Sequence, residues 1–319
     1  MRNVHGKPAG RSARLIVFPL LAAALVFGAA YWGGTRVGAN HPVLVEGNCD
    51  SPVPSTTIVA PGTCGDYDGD GLIGTSEDTD GADRVFGTLR AALGNGTGAA
   101  AGTGANFNGR IIIVRSGRFA ELLYIGNNSI DPNVGSASPG NVTIEAAPGV
   151  DADIDAVLQG DPVGGNNTRQ GRPGILVNYL PAFSNRVVTL RNLTIRNFLV
   201  GVDATGSSRV NIDNCRFENN LRSNIRAQGS ADVVVTNSQV QGAGFRIGTA
   251  SSIGDGNGVE VAGSAKLRLM ETTISNNKGP GINNSAPGAN VVLFKVSTYF
   301  NTPNIMGPVT VAPDSNHSF

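Results

Sequence analysis

Residues 186–208 read RVVTLRNLTIRNFLVGVDATGSS, and residues 209–230 read RVNIDNCRFENNLRSNIRAQGS. Laid over each other at an offset of 22 residues, Leu190 falls on Ile212, Asn192 on Asn214, Leu193 on Cys215, Ile195 on Phe217 and Asn197 on Asn219. Self-similarity at a short fixed period marks a solenoid, whose units bury their apolar faces by stacking on one another. The apolar residues alternate in runs too short for helices, so the units are built of strands. Stacking at this offset also sets Arg191 beside Asp213 and Arg196 beside Glu218. Adjacent strands lie about 4.8 Å apart, which predicts cross-strand ion pairs on the outer surface, each worth about 0.2–1 kcal/mol.

The pattern extends in both directions. Residues 110–114 (RIIIV), 141–146 (NVTIEA) and 152–158 alternate or run apolar upstream. Downstream, Val233 and Val235, then Val259 and Val261, then Leu267, Leu269 and Ile274, and finally Val291, Leu293 and Val296 carry further coils. Roughly seven to nine coils follow from a repeat of about 22–25 residues. Asn recurs at what reads as one turn position, as Asn197, Asn219, Asn276 and Asn301, where stacked amides can satisfy each other and the turn backbone. Residues 83–93 place Val85, Leu89 and Ala92 on one helical face beside Phe86 and Leu93. That predicts a short helix covering the open first edge of the stack. The expected organisation is a leader over residues 1–39, a linker over 40–82, a parallel β-helix over 83–309 and a tail over 310–319.

Lys plus Arg and Asp plus Glu both number 24 in the 319 residues, so no charge excess points to nucleic acid. Residues 46–84 nevertheless hold nine acidic residues and one basic one, and residues 186–246 hold eight Arg against four acids. The chain begins with Arg2, Lys7, Arg11 and Arg14, followed by an apolar run from Leu15 to Trp32. A cationic flank before about 16–18 apolar residues reads as an export signal or a single membrane anchor. Val37-Gly38-Ala39 offers a cleavage site, which favours the signal peptide; Tyr31-Trp32 suits a membrane interface and favours the anchor. Either way the rest of the chain is expected outside the cytoplasm, secreted or at the cell surface. Cys49 and Cys64 lie close enough in sequence to form a disulfide there, whereas Cys215 falls on an inward position and is expected to be a buried, inert thiol.

Phe86-Gly-Thr88-Leu89-Arg-Ala-Ala-Leu93 resembles the N-terminal cap of pectin-lyase-like right-handed parallel β-helix proteins. Ile111–Val114 with Gly117-Arg-Phe119-Ala-Glu121 resembles the strand-turn that follows that cap. The likeness covers about residues 83–309. It implies an all-β, three-sheeted, right-handed parallel β-helix with a short capping helix, and frequent but not universal action on polysaccharides. The catalytic series of the polygalacturonases in that group has no counterpart here. The three histidines, His5, His41 and His317, lie outside the repeats, so no histidine base stands on a coil surface. Fold alone is an analogy for function.

Two acidic constellations remain. Asp66-Tyr-Asp68-Gly-Asp70-Gly71-Leu72-Ile73-Gly-Thr-Ser-Glu77 has the spacing of a twelve-residue EF-hand calcium loop. Its ligands would be the carboxylates of Asp66, Asp68 and Asp70, the Leu72 carbonyl and both oxygens of Glu77. No clear entering helix precedes it, so it resembles dockerin-like or extracellular Ca2+ loops, with an expected job of stiffening the junction with the cap. The second constellation is Asp151-Ala-Asp153-Ile-Asp155, which lays three carboxylates along one outer face. In pectate lyases, which these coils resemble, such a face holds calcium and uronate next to an Arg or Lys base; Arg169, Arg172 and Arg186 follow in sequence. Residues 242–258 (GAGFRIGTASSIGDGNG) form a Gly-rich excursion that reads either as an insertion tolerated over a rigid scaffold or as an overhanging loop that carries Arg246, Asp255 and Asn257 for binding. The expected function is an exported β-helix scaffold that binds extracellular polysaccharide or cell-envelope components, with membrane contact only through the N-terminal segment if it is uncleaved. The alternative is a calcium-dependent polysaccharide lyase using Asp151, Asp153, Asp155 and Arg172.

Overall fold

A computed structural model describes residues 43–45, 57–58, 72–73, 85–86, 89–93, 109–126, 140–157, 171–245 and 255–313. The chain divides into Met1–Gly38 and Ala39–Phe319, and all described residues belong to the second unit. The N-terminal apolar run, Cys49, Cys64 and all of the calcium-type loop except Leu72 and Ile73 lie outside the described residues. Leu72–Ile73 pairs antiparallel with Thr57–Ile58.

Three parallel sheets wind around one apolar core as a right-handed β-helix. Each coil contributes one strand to each sheet in turn. The regular coil runs Val187–Arg191 in the first sheet, Leu193–Arg196 in the second and Val200–Gly206 in the third. The next repeats it as Arg209–Asp213, Arg216–Glu218 and Ser223–Ala227. The register is the one the 22-residue offset predicts: Leu190 pairs with Ile212, and Ile195 with Phe217. Arg191 Nε lies 3.9 Å from Asp213, and Arg196 Nη1 lies 3.9 Å from Glu218. The core is one continuous column of Val, Ile and Leu, with Phe217 and Cys215 inside it. Burial pushes the Cys215 thiol up to about 12, which keeps it protonated and unreactive.

The corners show why Asn recurs. Between the first and second sheets, Asn192, Asn214 and Asn237 adopt positive φ, and Glu271 and Lys295 take the same place in later coils. Between the second and third sheets, Asn197, Asn219, Gly242, Asn276 and Phe300 do so. Asn tolerates this left-handed conformation better than other non-Gly residues because its short amide bonds locally. Asn301 does not belong to that column, contrary to its expected alignment with Asn276; Phe300 fills the place. Asn301 stands one residue on, in a second amide column that points inward.

That inward column is a hydrogen-bonded ladder. Asn220 Nδ2 donates to Asn224 Oδ1 at 2.8 Å, Asn224 Nδ2 to Asn277 Oδ1 at 3.1 Å, and Asn277 Nδ2 to Asn301 Oδ1 at 2.8 Å. Each corner amide fits beneath a glycine of the preceding coil. A Cβ on Gly201 would come within 2.8 Å of Asn220, and one on Gly258 within 2.7 Å of Asn277. Where Asn224 replaces the glycine, the corner residue below is Ala243, and the amide of Asn224 fills the room.

Near the first edge, the helical reading of residues 83–93 is half right. Val85–Phe86 forms a strand of the first sheet, and among the described residues of the segment only Leu89–Leu93 is helical. Val43–Val45, inside the segment expected to be linker, lies between that strand and Gly109–Ile113. Leu89, Ala92 and Leu93 are fully buried against the core. Glu121 fastens this helix: its carboxylate accepts hydrogen bonds from the N–H groups of Leu89 at 3.0 Å and Arg90 at 2.7 Å. Burial nonetheless pushes the Glu121 carboxyl up, against those two bonds and the Arg90 charge.

Candidate functional site

Strand alternation sends Asp153 and Asp155 to the outer face of the second sheet, on Ala152–Asp155, while Ala152 and Ile154 enter the core. Asp151 precedes the strand and is exposed. The expected row of three carboxylates therefore exists, but its neighbours differ from those expected. Arg186 stacks over Phe183, with its guanidinium carbon 4.3 Å from the ring centroid. Arg172 stands at the start of the third sheet, where its carbonyl accepts from Leu199 N–H at 3.0 Å; Arg169 lies outside the described residues. The guanidinium groups at the acidic row come from the coils on either side. Arg118 is in register with Asp153, and Arg196 with Asp155.

Arg196 bridges the row. Its Nη2 donates to Asp153 Oδ2 and its Nε to Asp155 Oδ2 at 3.0 Å. Asp155 is only 2% exposed although it sits on the outer face. Its Oδ1 accepts from Asn197 Nδ2 at 2.7 Å and from Val157 N–H at 2.9 Å, and Arg118 Nε lies 3.8 Å from Oδ2. Burial pushes the Asp153 carboxyl up, with Asp151 and Asp155 adding to it, against the opposing pull of Arg196 and Arg118. A calcium cradle needs several carboxylate oxygens free and convergent. Both oxygens of Asp155 and Oδ2 of Asp153 are already engaged by guanidinium, amide and N–H donors, and among the described residues no three His, Cys, Asp or Glu side chains come together so as to hold a metal ion.

The row continues as a polar strip. Arg216 Nε bonds Glu218, which also accepts from Gln241 Nε2 at 2.9 Å. Arg216 registers with Gln239, Gln239 with Thr273, and Thr273 with Ser297; Tyr299 ends the adjoining column. Arg216 and Gln239 are exposed, and Tyr299 is 42% exposed. Beside this strip a depression of about 370 Å³ is lined by Pro148, Gly149, Asn192, Thr194, Asn214 and Arg216, among others. Asn214 Nδ2 donates to Asn192 Oδ1 at 2.9 Å at its rim.

A second constellation, on the outer face of the third sheet, escaped the sequence reading. Asp203, Arg226 and Glu260 are in register on three successive coils. Arg226 Nε donates to Asp203 Oδ1 at 3.0 Å, and Gln228 Nε2 to the same oxygen at 3.1 Å. Glu260 accepts from Arg222 Nη2 at 2.9 Å and from Ser223 Oγ at 2.7 Å. Asp203 is 2% exposed and Ser223 fully buried. Burial alone would raise the Glu260 carboxyl; the bonds from Arg222 and Ser223 and the charges of Arg222 and Arg226 bring it below the ordinary Glu value. Burial likewise opposes the charge on Arg226, but Asp203 and Glu260 hold its proton more firmly than in free Arg. Along the sequence Asp203 and Arg226 stand 23 positions apart, one off the 22-residue offset, and Arg226 and Glu260 stand 34 apart across the Gly242–Gly258 excursion, so only the true register joins them. The neck of that excursion is closed: a Cβ on Gly244 would meet the Gly256 Cα at 2.8 Å.

A family model described as right handed beta helix region matches residues 120–295, more than half of the chain. No protein of curated function matches the sequence. Among solved structures, a crystal structure of pectate lyase Pel9A superposes with a TM-score of 0.41 and 12% identity, over 87% of this chain and 74% of its own. A likeness at that score carries no functional weight.

Proposed function

The chain belongs to the right-handed β-helix family, and from that premise we propose that it is an exported, non-catalytic scaffold that binds extracellular polysaccharide or cell-envelope glycan along the outer face of the second sheet. The observation that carries the reading is the engagement of Asp153 and Asp155 by Arg196, beside a strip of half-exposed polar side chains. A lyase needs carboxylates open to calcium and an arginine free to take a proton; here Asp153, Asp155 and Arg196 are tied to one another. A glycan chain needs fixed donors and acceptors with spare capacity. Arg216, Gln239, Thr194 and the paired amides of Asn192 and Asn214 supply them around a depression large enough for a sugar unit. Tyr299 offers an aromatic face at the end of the strip. Calcium at residues 66–77 is part of the same proposal and rests on the spacing of Asp66, Asp68, Asp70, Leu72 and Glu77 alone.

Affinity electrophoresis against a panel of neutral and acidic polysaccharides tests the reading. The wild type should be retarded by at least one, and Arg216→Ala should weaken that retardation several-fold with an unchanged thermal midpoint. Failure to bind any glycan, or wild-type binding by Arg216→Ala, would overturn it. Appearance of unsaturated uronate during incubation with calcium, lost in Asp153→Ala, would establish the lyase instead. Titration calorimetry that shows the same calcium heat for wild type and Asp68→Ala would remove the metal.

A further inference from the structure

The three outer faces of the solenoid differ in how their charges are matched. On the second sheet Arg118, Arg196 and Arg216 are paired with Asp153, Asp155 and Glu218. On the third, Arg222 and Arg226 are paired with Glu260 and Asp203. The first sheet is not balanced in this way. Arg209, Asp232 and Lys266 stand in register on its outer face, on three successive coils. Asp232 is taken by Arg268, whose Nη2 donates to Oδ1 at 2.7 Å. Three cations thus stand around one carboxylate. Arg209 and Lys266 are exposed, and their side chains have no ion pair or hydrogen bond among the described residues. They lie two strand spacings apart, about 9.6 Å.

A column of uncharged polar side chains runs beside them. Strand alternation turns Thr143, Thr189 and Asn211 outward while Ile144, Leu190 and Ile212 enter the core. The three are in register with one another and with Arg110 at the head of the column. Arg110 is steadied by Glu145, which accepts from its Nε at 2.7 Å. The side chains of Thr143, Thr189 and Asn211 make no hydrogen bond among the described residues, so their donors and acceptors are all available. Between Arg110 and Thr189 lies a depression of about 310 Å³, to which Asn141 and Val187 also contribute. Val187 is in register with Arg209, and Thr189 with Asn211, so the depression and the cationic group adjoin.

We propose that the outer face of the first sheet is a second binding face, for an anionic polysaccharide laid along the solenoid axis. Its acid groups meet Arg209 and Lys266, and its hydroxyls meet Thr143, Thr189 and Asn211. Arg110 and Lys266 are five strand spacings apart, about 24 Å, a length that a chain can follow and a small anion cannot. The positive charge is sparse. Duplex nucleic acid carries one charge about every 1.7 Å, most of which would go unanswered here. None of these positions is aromatic, so the bases of a single strand find nothing to stack on. The side chains stand on strands already paired, which sets their spacing before a ligand arrives and lowers the ordering cost of binding. The inference goes beyond the second-sheet reading and stands whether or not that strip binds.

Affinity electrophoresis of the full chain in calcium-free buffer tests it, with polygalacturonate and chondroitin sulfate as carboxylate and sulfate probes and duplex DNA beside them. The wild type should be retarded by at least one of the two glycans, and raised salt should abolish the retardation, because exposed charges are screened. Arg209→Gln combined with Lys266→Gln should weaken it several-fold at an unchanged thermal midpoint, since neither side chain has a partner to lose. Thr189→Glu, which sets a carboxylate at the depression, should weaken it too. Lys278→Gln combined with Lys295→Gln removes the same charge from exposed positions elsewhere and should leave it as in the wild type. No salt-sensitive retardation by either glycan, equal effects of the two double variants, or stronger retardation by DNA overturns the proposal. Retardation by a neutral glycan reports the second sheet and should be the same in the wild type and in Arg209→Gln with Lys266→Gln, so the two readings fail separately.

Discussion

The outer faces of the second and third sheets carry the same chemistry in two settings. On the second, Arg216 and Arg118 on either side of the row are half in water, while Arg196 and Asp155 between them are shielded. On the third, Arg226 is shielded and its partner Asp203 is almost wholly buried. Both are Arg–carboxylate ladders running across successive coils. The difference teaches that a solenoid decides what a charge does by what lies over it, since both ladders stand on strands paired in register. Exposed pairs in high dielectric hold a face soluble and leave it open to ligand. Shielded pairs are strongly coupled, and losing one member leaves an uncompensated charge.

The sharpest way to break this contrast is Arg226→Met. It strands Asp203 with only Gln228 for a partner and should cost about 3–5 kcal/mol, read as a loss of urea midpoint. A loss as small as that of a surface pair would show that the third-sheet face is wet. Arg196→Met comes next, at about 1.5–3 kcal/mol, because Asp155 keeps its bonds from Asn197 and Val157. Arg216→Ala should cost no more than about 1 kcal/mol, and its effect should appear in glycan retention rather than in stability.

Acid titration sharpens the same contrast from the carboxylate side with the smallest effects. The Asp153 carboxyl is raised in the fold, so it contributes stability that is present at low pH and lost as the pH rises through its folded value. Glu260 is lowered, so its contribution is present at neutral pH and lost as the pH falls below the ordinary Glu range. Asp153→Asn should therefore compare best with wild type near neutrality. Glu260→Gln should compare best under acid, where the wild type has already lost what the variant lacks. Thermal midpoints measured across the acidic range check both; parallel curves for the two variants would sink the distinction.

Much of this was legible in the chain. The offset between residues 186–208 and 209–230 gave the register of Leu190 on Ile212 and of Arg191 on Asp213, because a coil of fixed length repeats its side-chain environment. The acidic row at Asp151, Asp153 and Asp155 was legible for the same reason, by strand alternation. Its arginines were not, since Arg118 and Arg196 come from coils at irregular distances in sequence across residues 127–139 and 158–170. The Asn column misled by one residue at Asn301: a turn filled by Phe300 at positive φ leaves no compositional mark.

Local rules decided the architecture. Period-two alternation, a 22-residue repeat and left-handed Asn at the corners each act within one coil or between neighbours, and stacking follows from them without further information. Contact across the coils decided the rest: that Asp155 is buried on an outward face, that Asp203, Arg226 and Glu260 form one shielded cluster, and that the corner amides fit beneath glycines of the coil before. These depend on how far each excursion displaces the next strand and on what shields a face, quantities that no single coil encodes.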